Sequence, residues 1–491
     1  MFILRIFRKP VFWLALILIG GFFVRLYKID NPIADWHSWR QADTAAVARN
    51  FYQNGFNPLL PKYDDLSDVA GDGLENPHGY RFVEFPIYNS LVYFSYLLNG
   101  GVNERLARLV SILMSLGSTV FLYFIVKKYW GMFTGLVAAA IFAFLPYNIY
   151  FSRVILPEPT QVFLSLGMFY FTVRWMEENK WMALSIVFTM AAFLVKPTSI
   201  FYLLPVFFVF LQKEKRVWPI PKKYWIWGIL SFTPFIFWRL WIMQHPEGIP
   251  ASSWLLNGDG IRFKPIFWKW ILGERIGKEI LSVAGTILLF LGLLIKPKGS
   301  GLLHLLGLSI FLYLIVFATG NVRHDYYQTI TIPVLAAFAA RGFVLLVQGA
   351  ENLSPRIFTV PAAFLLLFLT FYLGWGEVKG LYQINNSVIL EAGQEASKIL
   401  PKNAKVIAPY NGDTAFLYQI DRPGWPFVPF AVKDMVKSMG ATNYVSVNYD
   451  DKTNWLIKRY KVIEENPKFV ILDLTKLNPQ YIKDTEKEPA E

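Results

Sequence analysis

Long apolar runs separated by short charged turns recur along the first three-quarters of the chain, and the length of each run sets the element it predicts. Pro10 to Ile29 predicts a first membrane span, entered from a basic flank of Arg5, Arg8 and Lys9. Further spans follow over Leu106–Val126, Met132–Tyr150, Thr160–Val173, Trp181–Val195, Ser199–Leu211 and Tyr224–Met243. The series continues over Glu279–Ile295, Leu302–Thr319, Ile330–Val347 and Ile357–Trp375, which makes about eleven in all. Each turn assigned to the inside carries Lys or Arg, as the positive-inside rule requires, and the odd number leaves the C-terminus outside. The two runs flanking Lys196-Pro197-Thr198 are only about 15 residues long, short for a hydrocarbon layer of about 30 Å, which points to a thinned or protein-lined place in the membrane.

Between these runs the pattern changes character. Asp30 to Glu84 forms a large outer loop, within which the Ala-rich Arg40–Gln53 predicts a helix closed by Asn54-Gly55. Asn57 to Arg81 is turn-rich and irregular, and the short, Tyr-containing Phe85–Leu98 predicts a helix lying in the membrane interface. A second outer loop runs from Gln244 to about Gly277 and holds the aromatic stretch Phe267–Trp270. From Glu377 the composition becomes that of a soluble domain. Helical patterns (Ser387–Ile399, Asp413–Tyr418, Val432–Met439) alternate there with strand patterns (Lys405–Pro409, Tyr444–Asn448, Phe469–Leu474), and a charged tail follows Pro479. The expected architecture is a polytopic α-helical membrane domain over residues 1–376, with interfacial helices in its first outer loop, and a small extracytoplasmic α/β domain over 377–491.

Composition agrees with a membrane protein and narrows the partners. Hydrophobic residues make up 54% of the 491, too many for a soluble globule of this size to cover. A net charge of +13 could serve nucleic acid, but the basic residues sit in short clusters between apolar runs, where membrane topology accounts for them. There is no cysteine, which excludes disulfides and thiolate chemistry. The N-terminal run has no small-residue cleavage site and reads as a retained signal-anchor. The expected location is the inner or plasma membrane of a prokaryote, with the N-terminus cytoplasmic.

Ionisable residues at a membrane edge are costly unless chemistry or binding uses them, and the stretch from Asp35 to Gln53 concentrates Asp35, His37, Arg40, Asp43 and Arg49 there. On a helix from Arg40, residues Arg40, Asp43 and Asn50 share one face. The predicted topology brings Glu84, Arg153, Glu158, Lys196, Arg323 and His324 to the same outer level. Guanidinium and ammonium groups beside tyrosines such as Tyr326-Tyr327 suit a lipid-linked phosphate or pyrophosphate, and a nearby carboxylate can deprotonate an acceptor hydroxyl or amine. Plainer readings stand beside these: a local Arg40–Asp43 pair, a Lys196 that snorkels, a Glu158 that starts a helix, and tyrosines of an interfacial belt.

The ordered set formed by Ala45-x-x-x-Arg49, Glu84-Phe85-Pro86, Gly101–Arg105 with Arg108, Arg153 ahead of Leu156-Pro157-Glu158-Pro159, Leu194-Val195-Lys196 and His324-x-Tyr326-Tyr327 resembles the GT-C class of polyprenyl-phosphate-sugar-dependent membrane glycosyltransferases. That group includes the protein O-mannosyltransferases and the aminoarabinose transferase of lipid A. The resemblance implies inverting transfer of one sugar from a polyprenyl-phosphate carrier to a lipid, glycan or protein acceptor on the outer face, with an acidic residue of the first outer loop as base. It also implies that Glu84 lines the site, in some members with a divalent metal, and that Tyr326 and basic residues hold the donor phosphate. One departure stands out: the acidic pair that usually opens the loop helix falls on Arg40-Gln41, and the basic residue that often follows the loop glutamate is Phe85. The order of candidates for the base is therefore Asp43, Asp35, then Glu84. A flippase or exporter of lipid-linked saccharides, and a ligase or polymerase using lipid-pyrophosphate glycans, are the alternative readings. The absence of an internal repeat weighs against the transporter.

Overall fold

A computed structural model describes residues 9–215, 218–296, 301–349, 355–480 and 488–489. Arg5 and Arg8 of the basic flank, Lys298 of an inner turn and most of the charged tail lie outside the described residues. In chain order the main helices are α1 (Pro10–Arg25), α2 (Ser38–Asn54), α3 (Ile87–Asn99), α4 (Glu104–Trp130), α5 (Met132–Phe144), α6 (Pro146–Phe151), α7 (Glu158–Glu177), α8 (Met182–Val195), α9 (Ile200–Glu214) and α10 (Lys222–Ile242). After the second loop come α11 (Ser282–Leu294), α12 (Leu302–Val316), α13 (Ile332–Gln348), α14 (Arg356–Val378), α15 (Val388–Ile399), α16 (Ala415–Ile420) and α17 (Asp451–Arg459). The chain divides into two compact units: Met1–Ile29, Arg105–Leu240 and Ser252–Leu381 form the first, and Asp30–Glu104, Trp241–Ala251 and Tyr382–Glu491 the second.

The first unit is helical. Among the described residues four helices are long and apolar enough to cross a membrane: Glu104–Trp130, Lys222–Ile242, Asp325–Gln348 and Arg356–Tyr382. A bent pair, Pro265–Ile280 and Ser282–Leu294, adds a fifth if it counts as one span. The other apolar runs form shorter helices, including Pro10–Arg25, Met132–Phe144 and Leu302–Val316. The run taken as one span over Met132–Tyr150 is two helices, because Pro146 holds Leu145 in an extended conformation (φ −63°, ψ 119°) and ends α5 there. A second interruption was not legible from the apolar pattern: Lys269–Ile280 is a π-helix, and the chain turns by 112° before α11. Helices α11 and α13 approach closely at Gly292 and Gly342, where a Cβ on either glycine would overlap the backbone of the opposite helix. Arg25, fully buried at the end of α1, donates to Ser152 Oγ (2.7 Å), Ser115 Oγ (3.3 Å) and the carbonyls of Gly21 and Ala143 (both 2.8 Å). A charge so far from water persists because acceptors surround it.

The second unit joins three separate stretches of sequence around a five-stranded sheet. The strands are β1 (Val406–Ile407), β2 (Gly424–Trp425), β3 (Asn443–Ser446), β4 (Tyr460–Glu465) and β5 (Val470–Leu477), in the order β2-β1-β3-β5-β4. β1 pairs parallel with β2 and β3, while β5 pairs antiparallel with β3 and β4. The β2 edge is covered by the first loop: Asp65 bridges Gly424, with Leu66 N donating to Gly424 O and Gly424 N donating to Asp64 O, both at 2.8 Å. Leu66 then enters the same core as Ile407, Trp425, Tyr444, Val470 and Leu472. Residues 377–491 therefore supply the sheet, and the first loop completes its core.

Candidate functional site

In the second unit the acidic candidates are each held by named donors. Helix α2 follows His37, whose backbone is left-handed (φ 56°), and ends at Asn54 before Gly55 (φ 101°). One turn in, Asp43 accepts from Arg81 at 2.7 Å and from Thr414 Oγ1 at 2.6 Å. Arg40 reaches both oxygens of Glu84, at 2.9 and 3.0 Å. Asp35 accepts from Gln41 Nε2 at 2.6 Å. So Arg40-Gln41, the dipeptide standing where the resemblance led one to expect two acids, supplies the donors that orient two of the three acids present. Asn50, predicted to share a face with Arg40 and Asp43, turns to the carbonyl of Lys62 (3.1 Å) and Asp64.

A second layer of this unit was missed in the sequence. Arg49 is buried between Asp64, Asp421 (3.0 Å) and the carbonyl of Tyr418 (2.8 Å), with its guanidinium over the Tyr418 ring at 4.3 Å. Burial pushes Asp64 up, opposed by Arg49. Burial also pushes the Asp65 carboxyl up to about 6; the Ser67 hydrogen bond and Arg81 oppose the rise, while Asp43 adds to it. A carboxyl in that range is a stronger proton acceptor than an ordinary aspartate. Asp413 is likewise raised by burial and accepts from Ser38 Oγ at 2.7 Å. Nothing in a turn-rich loop distinguishes Asp64 and Asp65 from solvated acids.

The first unit holds the predicted cations and aromatics. Lys196, at the end of α8, is paired with Glu158, the buried first residue of α7, and lies 5.3 Å from the centre of the Tyr327 ring. His324 stacks on Tyr326 (5.3 Å) and contacts Tyr327 (5.4 Å), so Lys196, Glu158, His324, Tyr326 and Tyr327 form one cluster. Tyr326 is buried, and Tyr327 is the tyrosine facing the ammonium. Arg323 is more exposed, 4.0 Å from Asp259 and over the Trp254 ring at 5.4 Å. Arg153 is fully buried, donating to the Lys28 carbonyl at 2.5 Å with Tyr150 beneath it. Sequence reasoning also missed Arg275 on the π-helix, which binds both oxygens of Glu279 (2.7 and 2.5 Å) and lies 4.0 Å from Asp325; the i, i+4 spacing of Arg275 and Glu279 was the readable signal.

Among the described residues no three His, Asp or Glu side chains converge to hold a metal ion. Both oxygens of Glu84 accept from the same Arg40 Nη2.

Comparison with known proteins places this geometry. Residues 85–241 match the family model of dolichyl-phosphate-mannose-protein mannosyltransferases. No protein of curated function matches the sequence. Among solved structures, ArnT from Cupriavidus metallidurans bound to undecaprenyl phosphate superposes with a TM-score of 0.61 at 13% identity, covering 94% of this chain and 97% of that one. The oligosaccharyltransferase AglB from Archaeoglobus fulgidus, in complex with an inhibitory peptide and a dolichol-phosphate, gives 0.57 at 11% identity over 93% of this chain and 74% of that one. The arabinofuranosyltransferase AftD from Mycobacteria gives 0.55 at 15% identity over 94% of this chain and 40% of that one. The resemblance read from the motifs therefore holds, and the chain carries the fold of the GT-C membrane glycosyltransferases.

Proposed function

We propose that the protein transfers a single sugar, with inversion, from a polyprenyl-phosphate carrier to a lipid, glycan or protein acceptor on the extracytoplasmic face of a prokaryotic membrane. About eleven spans with the N-terminus inside, and the sheet-bearing second unit outside, are the topology this reading requires. The observation that carries it is the Lys196–Glu158–Tyr327–His324 cluster, an ammonium over the Tyr327 ring, which His324 contacts in turn, on a GT-C fold. It is supported by the names of two structural neighbours, ArnT with undecaprenyl phosphate and AglB with dolichol-phosphate.

In the reaction the acceptor oxygen or nitrogen bonds to the anomeric carbon as the bond from that carbon to the phosphate oxygen breaks. The electron pair leaves with the polyprenyl phosphate, whose charge grows. Lys196 and Arg323 are the cations assigned to it, with Tyr326, Tyr327, His324 and Arg153 shaping their surroundings. The acceptor proton passes to a carboxylate of the second unit, Asp43 first, then Asp35 and Glu84. Arg40 and His37 are binding or positioning groups, Arg40 by holding Glu84. A divalent metal is left out of every step.

The test is transfer in liposomes from a radiolabelled lipid-phosphate sugar, with release of free polyprenyl phosphate measured in parallel. Retained turnover in all of Asp43→Asn, Asp35→Asn and Glu84→Gln would sink the base assignment. Movement of intact lipid-linked saccharide without release of carrier would replace the enzyme by a flippase. A second donor class, lipid-pyrophosphate glycans, is separated by a side-by-side assay of mono- and diphosphate carriers.

A further inference from the structure

A cleft of about 440 Å³ lies between α7, α9 and α10 in the first unit. Its walls reach the surface at Leu204, Phe207 and Trp225, which are 45%, 56% and 51% exposed. The floor is aromatic: Trp175 stacks on Trp227 at 5.7 Å and meets the edge of Tyr224 at 5.2 Å. Polar atoms are turned aside, since the Trp227 indole N–H donates to Ser185 Oγ (2.8 Å) and the Tyr224 hydroxyl to Glu214 (2.6 Å). Such a slot takes hydrocarbon and offers a polar headgroup nothing along its length.

One end of the slot is different. Lys213 donates to the carbonyl of Met176, a wall residue, and α10 begins with Lys222 and Lys223 directly before the lining residues Tyr224 and Trp225. Arg174, Lys180 and Lys215 lie at the same helix ends. Glu177, Glu178 and Glu214 offset only part of that charge: Arg174 and Lys180 pair with Glu178, and Lys223 with Glu214. Basic residues clustered at the ends of apolar helices attract anionic lipid on the cytoplasmic side.

We propose that this cleft is a binding site for one anionic phospholipid of the inner leaflet, with an acyl chain in the slot and the phosphate at Lys213 and Lys222. At about 30 Å³ for each water-sized group, the volume holds roughly fifteen methylene-sized groups, one acyl chain, whereas a polyprenyl chain is several times larger. The charge at the mouth selects phosphatidylglycerol over a zwitterionic lipid.

The full-length protein, purified in detergent, is incubated with phosphatidylglycerol, phosphatidylcholine or undecaprenyl phosphate, and retained lipid is counted by native mass spectrometry. Gly228 lines the cleft, and a Cβ there meets nothing within 4 Å, so Gly228→Phe puts a bulky side chain at the slot from an open position; Gly376 on α14 is equally open at Cβ, and Gly376→Phe is the control for an added surface aromatic. Retention of one phosphatidylglycerol, at least tenfold over phosphatidylcholine, is expected in the parent and in Gly376→Phe. Gly228→Phe lowers it about tenfold, and Lys213→Gln/Lys222→Gln abolishes the preference between the two phospholipids. Unchanged retention in Gly228→Phe, an equal loss in Gly376→Phe, a preference that survives the double lysine variant, or retention of undecaprenyl phosphate in place of phosphatidylglycerol would each overturn the proposal.

Discussion

The two candidate clusters, one in each unit, hold their charges in different ways. In the second, carboxylates are met by arginines and hydroxyls at ordinary hydrogen-bond distances: Arg81 and Thr414 on Asp43, Arg40 on Glu84, Arg49 beside Asp421. In the first, the Lys196 ammonium is paired with Glu158 and lies over the Tyr327 ring. A geometry locked by several hydrogen bonds suits a group whose position must not change while it takes a proton. An ammonium paired with a carboxylate can exchange that partner for a phosphate, while a ring over it adds a cation–π contact that does not depend on the anion. Proton transfer by the carboxylates and phosphate binding by Lys196 are the roles proposed for these groups, and variants can break either one.

The largest effect is expected at the base. Asp43→Asn keeps the shape and the Thr414 contact but removes the proton acceptor, so kcat falls about 10²–10⁴-fold, while Asp35→Asn and Glu84→Gln fall by less. Kinetics of sugar transfer with saturating donor decide this; a larger loss in Glu84→Gln would move the base onto the acid that Arg40 orients. Next in size is Arg49→Ala, which leaves Asp64 buried without its cation and costs about 3–5 kcal/mol of stability in the second unit. Denaturant unfolding followed by Trp fluorescence measures it, and a change below about 1 kcal/mol would mean that Asp64 protonates instead.

Asp65 gives a smaller effect with a pH signature. Its folded-state carboxyl titrates near 6 against an ordinary value of 3.8, so the folded protein binds its proton more tightly than the unfolded chain. Stability is therefore lost as pH rises from about 4 through 6, and Asp65→Asn should restore up to about 3 kcal/mol at pH 7.5 and almost nothing at pH 4. Melting temperatures of the two proteins across that range test the sign as well as the size.

The membrane half of the fold was largely legible because long apolar runs permit few structures, and its helices lie where those runs are. The interruptions were not: Pro146 was a readable break, but the π-helix over Lys269–Ile280 has no distinctive composition. In the sheet-bearing unit, local pattern located α15 and β5 to within a few residues, and missed α17, β4 and β2, the last only two residues long and covered by the first loop. The candidate site shows the same division. Types of side chain could be read, whereas pairings could not: Arg81 on Asp43 and Thr414 on Asp43 join positions 38 and 371 residues apart, and sequence carries no local sign of either.

The smallest predicted effect probes the aromatic side of the contrast. If the Tyr327 ring holds the Lys196 ammonium through its π face, then Tyr327→Phe keeps the ring and should leave donor KM nearly unchanged, while Tyr327→Leu removes it and should raise KM about twofold to thirtyfold, the range for a cation–π contact worth about 0.5–2 kcal/mol. The Glu158→Gln variant separates this from the ion pair, because it removes the competing anion and should lower donor KM if phosphate displaces Glu158 from Lys196. Equal KM values in Tyr327→Phe and Tyr327→Leu, together with a raised KM in Glu158→Gln, would make Lys196 a fixed structural pair like those of the second unit. Phosphate binding would then fall to Arg323, whose side chain is 57% exposed and lies 4.0 Å from Asp259.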